Sequence, residues 1–212
     1  MTPEQCKPLL DFIAQYEADR RIPNMCNSVW LGIPPKARPA RDPVNMTIRE
    51  VMQWQDSLRG RYASSAIGAW QFIRATLREF YAKAGLTPSD PFNEENQRKL
   101  AVALLKRRGL QGYLAGEMTT ELFALHVAKE WASMPVPFDT MRGSRPVKRG
   151  QSYYAGDGLN AAHAPLGAYL AAIEAIKAPV APPAVEAPQR SIWAVLGDLL
   201  ARLFRRGGPS RS

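Results

Sequence analysis

The chain has 212 residues, 46% of them hydrophobic, which is enough for one cored domain plus an appendage. Its formal net charge of +9 favours an anionic partner: nucleic acid, a membrane surface or an anionic polymer. The excess is not confined to one arm, since residues 1–177 carry 23 Lys/Arg against 17 Asp/Glu. Two cysteines, Cys6 and Cys26, are too few for a disulfide framework and read as free thiols of a reducing compartment, with a bridge between them only conceivable. The N-terminus lacks a basic region followed by an apolar run, and no 18-residue apolar stretch occurs, so synthesis in the cytoplasm without a signal peptide is expected.

In chain order, Thr2-Pro3 reads as an N-cap and first helical position, although Pro8 allows a later start. Leu9, Leu10, Phe12, Ile13 and Tyr16 form a helical apolar face that ends on a carboxylate, Glu17. Residues 18–46 hold too many prolines for a long helix, and Ser28–Leu31 reads as a short strand in a small hairpin. Thr47 and Glu50 form a capping box for a helix to about Leu58, stopped by Gly60. A second helix is expected from Ala66–Gly68 to Ala84, burying Trp70, Ile73, Leu77, Phe80 and Tyr81. Asn93 caps a helix to Arg108, and Gln111–Ala115 adds a turn. Thr119 or Thr120 caps a helix over Glu121–Ser133, which should bury Leu122, Leu125, Val127 and Trp131. Residues 134–164 look like loop, and Pro165 opens a short helix to about Lys177. Residues 178–190 form a Pro/Ala linker. Beyond it, residues 191–206 separate into an apolar face with Trp193 and a cationic face with Arg202, Arg205 and Arg206. That pattern fits an interfacial helix on an anionic membrane surface, or a helix that packs on the domain or on another copy. The expected division is therefore 1–177, 178–190 and 191–212.

Two stretches carry candidate chemistry. An apolar helix that delivers Glu17 to a cleft edge would raise its carboxyl pKa by desolvation, as a general acid needs, but the pattern alone is common. The second is Ala66-x-Gly68-x-x-Gln71 with Thr76 five residues on. Gly68 permits close backbone approach, and Gln71 offers a donor and an acceptor suited to N-acetyl and hydroxyl groups. By residues alone, a helix N-terminus with a close-packing glycine and a surface glutamine is the commoner reading of this pattern.

The segment Ala66–Thr76 resembles the A-x-G-x-x-Q-x-x-x-x-T motif of lytic transglycosylases in the lysozyme-like superfamily. Residues 5–176 more widely resemble the phage lambda endolysin-like family of muramidases. Leu10–Glu17 is similar to that family's helix ending in the catalytic Glu. Ser65–Gln71 is similar to its Gly-Arg-Tyr-Gln segment, with Ala69 and Trp70 in place of Arg and Tyr. Trp131-Ala132-Ser133-Met134-Pro135 is similar to its Trp-Ala-Ser-Leu-Pro segment, and Gly150–Gly158 to a Gly/Tyr-rich loop near the cleft. Ala18 departs from the Ser or Gly that often follows the catalytic Glu, and Asp19–Asn27 is longer than usual.

The resemblance implies a mainly helical α+β, lysozyme-like two-lobed fold with a small β-hairpin region between residues 20 and 46. It implies cleavage of the β-1,4 bond between N-acetylmuramic acid and N-acetylglucosamine, in the transglycosylase version that closes a 1,6-anhydro ring. Glu17 is the expected catalytic residue. Ser65, Gly68, Gln71, Trp30, Tyr153, Tyr154 and Asp157 are the expected glycan contacts. A hydrolytic muramidase would need a second carboxylate, for which Asp56 and Asp19 are the candidates. A cell-wall-binding module without catalysis, or a membrane-active phage particle protein, are the other classes. His126 and His163 stand alone with no metal-ligand spacing, so neither metal nor other cofactor is expected. The basic sets Lys106–Arg108 and Arg145–Arg149 lack the logic of a sequence-specific DNA reader, and nucleic acid is not the expected partner. A monomer acting on peptidoglycan after a holin-like release completes the expectation.

Overall fold

The computed structural model describes residues 4–177. The Thr2-Pro3 cap, the 178–190 linker and the 191–206 amphipathic segment lie outside the described residues. The fold is mixed α+β and mainly helical. Its helices are α1 (Lys7–Glu17), α2 (Ile48–Ser57), α3 (Arg74–Phe80), α4 (Glu94–Arg107), α5 (Leu110–Leu114), α6 (Thr120–Ala128) and α7 (Leu166–Ala175). Strands β1 (Thr140–Arg142) and β2 (Arg145–Val147) pair antiparallel, with Thr140 opposite Val147 and Arg142 opposite Arg145. No helix among the described residues is long and apolar enough to cross a membrane.

Helix boundaries follow local chemistry. Cys6 precedes α1, Pro8 sits in its first turn, and Ala18 turns extended immediately after Glu17. Thr47 and Glu50 form the capping box of α2 with both reciprocal bonds. Asn93 and Thr119 cap α4 and α6 through their side-chain oxygens. Leu9, Leu10 and Ile13 of α1 are fully buried, and Phe12 stacks on Tyr169 of α7 with ring centroids 6.1 Å apart. Tyr169 donates to the Ala124 carbonyl of α6 (2.9 Å), joining α7 to α6. Cys6 and Cys26 are buried free thiols, and burial raises each to a pKa of about 11.

The structure corrects several expectations. The hairpin expected between residues 20 and 46 is absent. That region holds three short 3-10 turns, and Val29 instead forms a single bridge with Ile67. The β1–β2 hairpin lies inside the stretch read as loop, turned by Gly143-Ser144. Residues 66–73 are not helical, and α3 starts only at Arg74. Ile67 and Phe72 bridge each other across a tight turn, with Gly68 at φ +85° and Gln71 at φ +49°. Two left-handed residues in four break a right-handed helix. Ile73, expected in the core, is 46% exposed, and Leu122 is 39% exposed. Helix α6 ends at Ala128, before Trp131 and Ser133.

What overrides helical periodicity at 66–73 is a pair of buried glutamines. Gln97 of α4 accepts the Ala69 N–H (2.9 Å) and donates to the carbonyls of Cys26 (3.0 Å) and Phe92 (2.9 Å). Gln55 of α2 donates to the Ser65 (2.9 Å) and Phe72 (2.8 Å) carbonyls. Both are fully buried. They stand in for the neighbours that the turn's backbone would have in a sheet, so its polar groups stay satisfied.

Gly68 closes this arrangement. A Cβ there would lie 2.5 Å from Gln97 Oε1, and the backbone is left-handed. We expect Gly68→Ala to cost about 2–4 kcal/mol in urea unfolding, combining the left-handed penalty with the clash. Gly60→Ala, also left-handed (φ +71°) but facing open space, should cost only about 1–2 kcal/mol. Equal losses would show that Gln97 yields freely.

Candidate active site

Glu17 is the last residue of α1, at the negative end of the helix dipole. It lines a cleft of about 470 Å³ together with Tyr16, Trp30, Gln71, Trp131, Ser133, Tyr154 and His163. The residue is half-buried, with its carboxyl held against the protein. Oε1 accepts two bonds from one residue: the Ser133 N–H (3.1 Å) and the Ser133 hydroxyl. Oε2 has no protein donor among the described residues. Burial is the largest influence on this carboxyl and raises its pKa above the ordinary 4.5, while the Ser133 bonds and the nearby His163 pull the other way. The helix dipole adds to the upward push.

Ser133 is itself fixed. It is 5% exposed, and its carbonyl accepts the N–H groups of His163 (2.9 Å) and Ala164 (3.2 Å). The cleft wall is fastened to α1 by two indoles. Trp131 Nε1–H donates to the Trp70 carbonyl (3.1 Å), and Trp70 Nε1–H donates to the Leu10 carbonyl of α1 (2.9 Å). Trp131 is 3% exposed, so its ring is mainly core although its edge lines the cleft.

Gln71 lines the cleft from the 67–72 turn. Its Nε2 donates to the Gly68 carbonyl (2.8 Å), which leaves its amide oxygen without an intramolecular partner among the described residues. Trp30 is half-buried and rests on Gly32, where an added Cβ would lie 2.2 Å from the indole. Tyr154 donates its hydroxyl to the Lys129 carbonyl (2.8 Å), and Arg142 covers its ring at 4.5 Å.

The structure therefore brings Glu17, Gln71, Trp30 and Tyr154 to one cleft. Other expected site residues fall elsewhere. Gly68 is buried beneath the turn and acts through backbone shape. Ser65 accepts the Arg74 N–H (3.1 Å), doing for α3 what an N-cap side chain would do. Tyr153 packs edge-on against Tyr154 with Lys129 over its ring, and does not line the cleft. Asp157 is exposed and closes its own loop on Leu159 and Asn160, which holds its carboxyl at about 2.

Neither candidate second carboxylate reaches the cleft. Asp19 forms a two-pronged pair with Arg21, both contacts 2.8 Å, and its pKa falls to about 2. Asp56 is paired with Arg74 and Arg78, chiefly through the Arg74 hydrogen bond, and its pKa is lowered. The carboxylate that does line the cleft beside Glu17 is Glu130, which sequence reasoning missed. Its side chain is 7% exposed and is neutralised by Arg107 (2.6 Å) and Arg108 (2.8 Å). Ser133 and His163 were also missed as site residues. The Trp131–Pro135 segment was the available signal for Ser133, while nothing local marked His163.

No family model, no curated protein and no solved structure matches the chain.

Two measurements follow from the Glu17 environment. Its raised pKa means that the folded state binds this proton more tightly than the unfolded chain. The group's contribution to stability is then fully present below the ordinary carboxylate value and lost as pH rises through the folded value. Glu17→Gln removes the buried charge, so we expect it to raise Tm at pH 7–8 by a few degrees, about 2–4 °C per kcal/mol recovered. The gain should vanish near pH 4; a gain independent of pH would contradict the burial argument. Ser133→Ala removes one bond that favours the carboxylate, and carboxyl-detected NMR titration should find Glu17 titrating higher still. A downward move would contradict this assignment.

Proposed function

We propose that the chain cleaves peptidoglycan at the β-1,4 bond between N-acetylmuramic acid and N-acetylglucosamine, as a lytic transglycosylase of lysozyme-like, two-lobed fold. The observation that carries the reading is the contrast in the cleft. Glu17 has a desolvated carboxyl gripped through one oxygen by Ser133, while Glu130, the neighbouring carboxylate, is tied up by two arginines.

In this reading Glu17, whose protonated form burial favours, gives its proton to the glycosidic oxygen as the C1–O bond breaks. The resulting carboxylate then takes the proton of the muramoyl C6 hydroxyl. The C6 oxygen bonds to C1, which closes the 1,6-anhydro ring and consumes no water. Hydrolysis would instead need a free second carboxylate at about 5–5.5 Å for retention or about 6.5–9.5 Å for inversion. Asp19 and Asp56 are committed to arginines outside the cleft, which favours the ring-closing version. Gln71 presents its amide oxygen as an acceptor for a sugar N–H or hydroxyl, and Trp30 offers an aromatic face beside it.

The test is digestion of purified peptidoglycan with mass spectrometry of the released muropeptides. We expect products one water lighter than reducing-end muropeptides, and a rate loss of about 10²–10⁴-fold in Glu17→Gln. Reducing ends would assign hydrolysis. Undiminished lysis by Glu17→Gln would remove Glu17 from the chemistry and favour a binding or membrane-active role.

The route of action proposed is release to the cell wall through a holin-like pore, as a monomer, with residues 191–206 engaging an anionic membrane surface. Deletion of residues 179–212 should abolish co-sedimentation with anionic vesicles while preserving muropeptide release. Unchanged vesicle binding would end the proposed role of the tail.

A further inference from the structure

No residue of the β1–β2 hairpin lines the cleft, and its register sets two cations against each other. Arg142 stands directly opposite Arg145 at the tip, on either side of the turn Gly143-Ser144. Like charges at directly opposed strand positions work against pairing. Of the four cations at 142, 145, 148 and 149, only Lys148 has a carboxylate partner among the described residues, Asp139 at 2.8 Å. Arg142 lies over the Tyr154 ring at 4.5 Å and Arg145 donates to the Ala155 carbonyl (3.2 Å), contacts that supply no countercharge. Asp157 keeps both oxygens on Asn160 and Leu159, and those bonds outweigh the Arg142 charge in setting its low pKa. The outward face of the hairpin is apolar. Met141 pairs with Pro146 across the ladder and both are exposed, Met141 at 53%. Phe138, just before β1, is 39% exposed.

A second copy of this chain, at net charge +9, would add to the repulsion at this tip, so charge complementarity calls for an anionic partner. A hydrated anionic polymer satisfies the arginines but offers nothing to Met141 and Phe138. An anionic phospholipid surface offers both, with phosphate at the headgroup level and acyl chains beneath it. We propose that the hairpin is an anionic-lipid contact, in which Arg142 and Arg145 share lipid phosphate and Met141, beside Pro146, enters the acyl boundary. The like-charge pair is then neutralised only at the membrane. This contact is separate from the one proposed for residues 191–206 and does not rest on the glycan-cleavage reading. The patch is small, so it strengthens binding by a chain already tethered rather than holding the domain to a membrane alone.

The experiment titrates the full-length chain with vesicles of phosphatidylcholine and phosphatidylglycerol. Arg142→Gln/Arg145→Gln should weaken binding about ten- to thirtyfold. Its Tm should stay level or rise as the like-charge pair is relieved, which separates lost binding from lost folding. Arg59→Gln/Arg61→Gln removes the same charge from exposed positions elsewhere and should weaken binding less than about threefold. Met141→Asp should weaken it about fivefold or more, and Met141→Trp should add a blue-shifted emission on vesicles that wild type lacks. Equal losses in the two arginine pairs would reduce the effect to net charge and overturn the proposal, as would Met141→Asp binding vesicles like wild type. Loss of duplex DNA binding in Arg142→Gln/Arg145→Gln, with vesicle binding unchanged, would assign the tip to an anionic polymer and also overturn it. Every variant keeps residues 191–206, so failure of the proposed role of the tail leaves these comparisons readable.

Discussion

Two indole N–H groups hold the cleft together. Trp131 donates to the chain at Trp70, and Trp70 donates to α1 at Leu10, so three segments far apart in sequence share one buried line of bonds. Each segment also delivers a cleft residue: Glu17 from α1, Gln71 beside Trp70, and Ser133 two residues past Trp131. A neutral hydrogen bond contributes only about 0.5–1.5 kcal/mol net, but a buried carbonyl or indole left without a partner costs about 1–3 kcal/mol. The line is thus more a constraint on relative position than a large source of stability. It ties the depth of α1 to the height of the cleft wall, and the geometry around Glu17 follows from that.

The electrostatics are built by contrast within one groove. Glu130 has a side chain only 7% exposed, and two guanidinium groups compensate it. Among the described residues Glu17 receives no cation at hydrogen-bonding distance, only a serine, and it sits at the helix end that disfavours negative charge. One groove thus holds a carboxylate compensated by two guanidinium groups and another whose carboxyl burial pushes up.

Much of the helical architecture could be read from residues that act locally. The Thr47/Glu50 capping box, the Asn93 and Thr119 caps and the Pro165 entry to α7 each depend on neighbours within a few positions. Glu17 was also readable, because a helical apolar face marks where its helix ends. The turn at 66–73 was not. Its apolar spacing matches a helix, and what defeats the helix is Gln97, 28 positions from Ala69, together with Gln55, 17 positions from Phe72. The partners of charged groups were hidden for the same reason. Nothing near Asp56 announces Arg74 and Arg78, and nothing near Glu130 announces Arg107. The β1–β2 hairpin, by contrast, had a visible Gly-Ser turn at 143–144, and the surrounding proline and glycine content masked it.

The backbone at Gln71 has an evolutionary consequence. A left-handed φ of +49° is tolerated most cheaply by glycine or asparagine, and a long side chain there works against folding. Selection for stability alone would drive this position toward glycine, and would lose nothing that the core requires, since Gln71 points half its amide back to its own turn and the other half outward. A glutamine here is thus held at a conformational cost that glycine would not carry. Variants recovered from a purely thermal screen should therefore drift at position 71 before they drift at Trp70, where the same turn is anchored to α1.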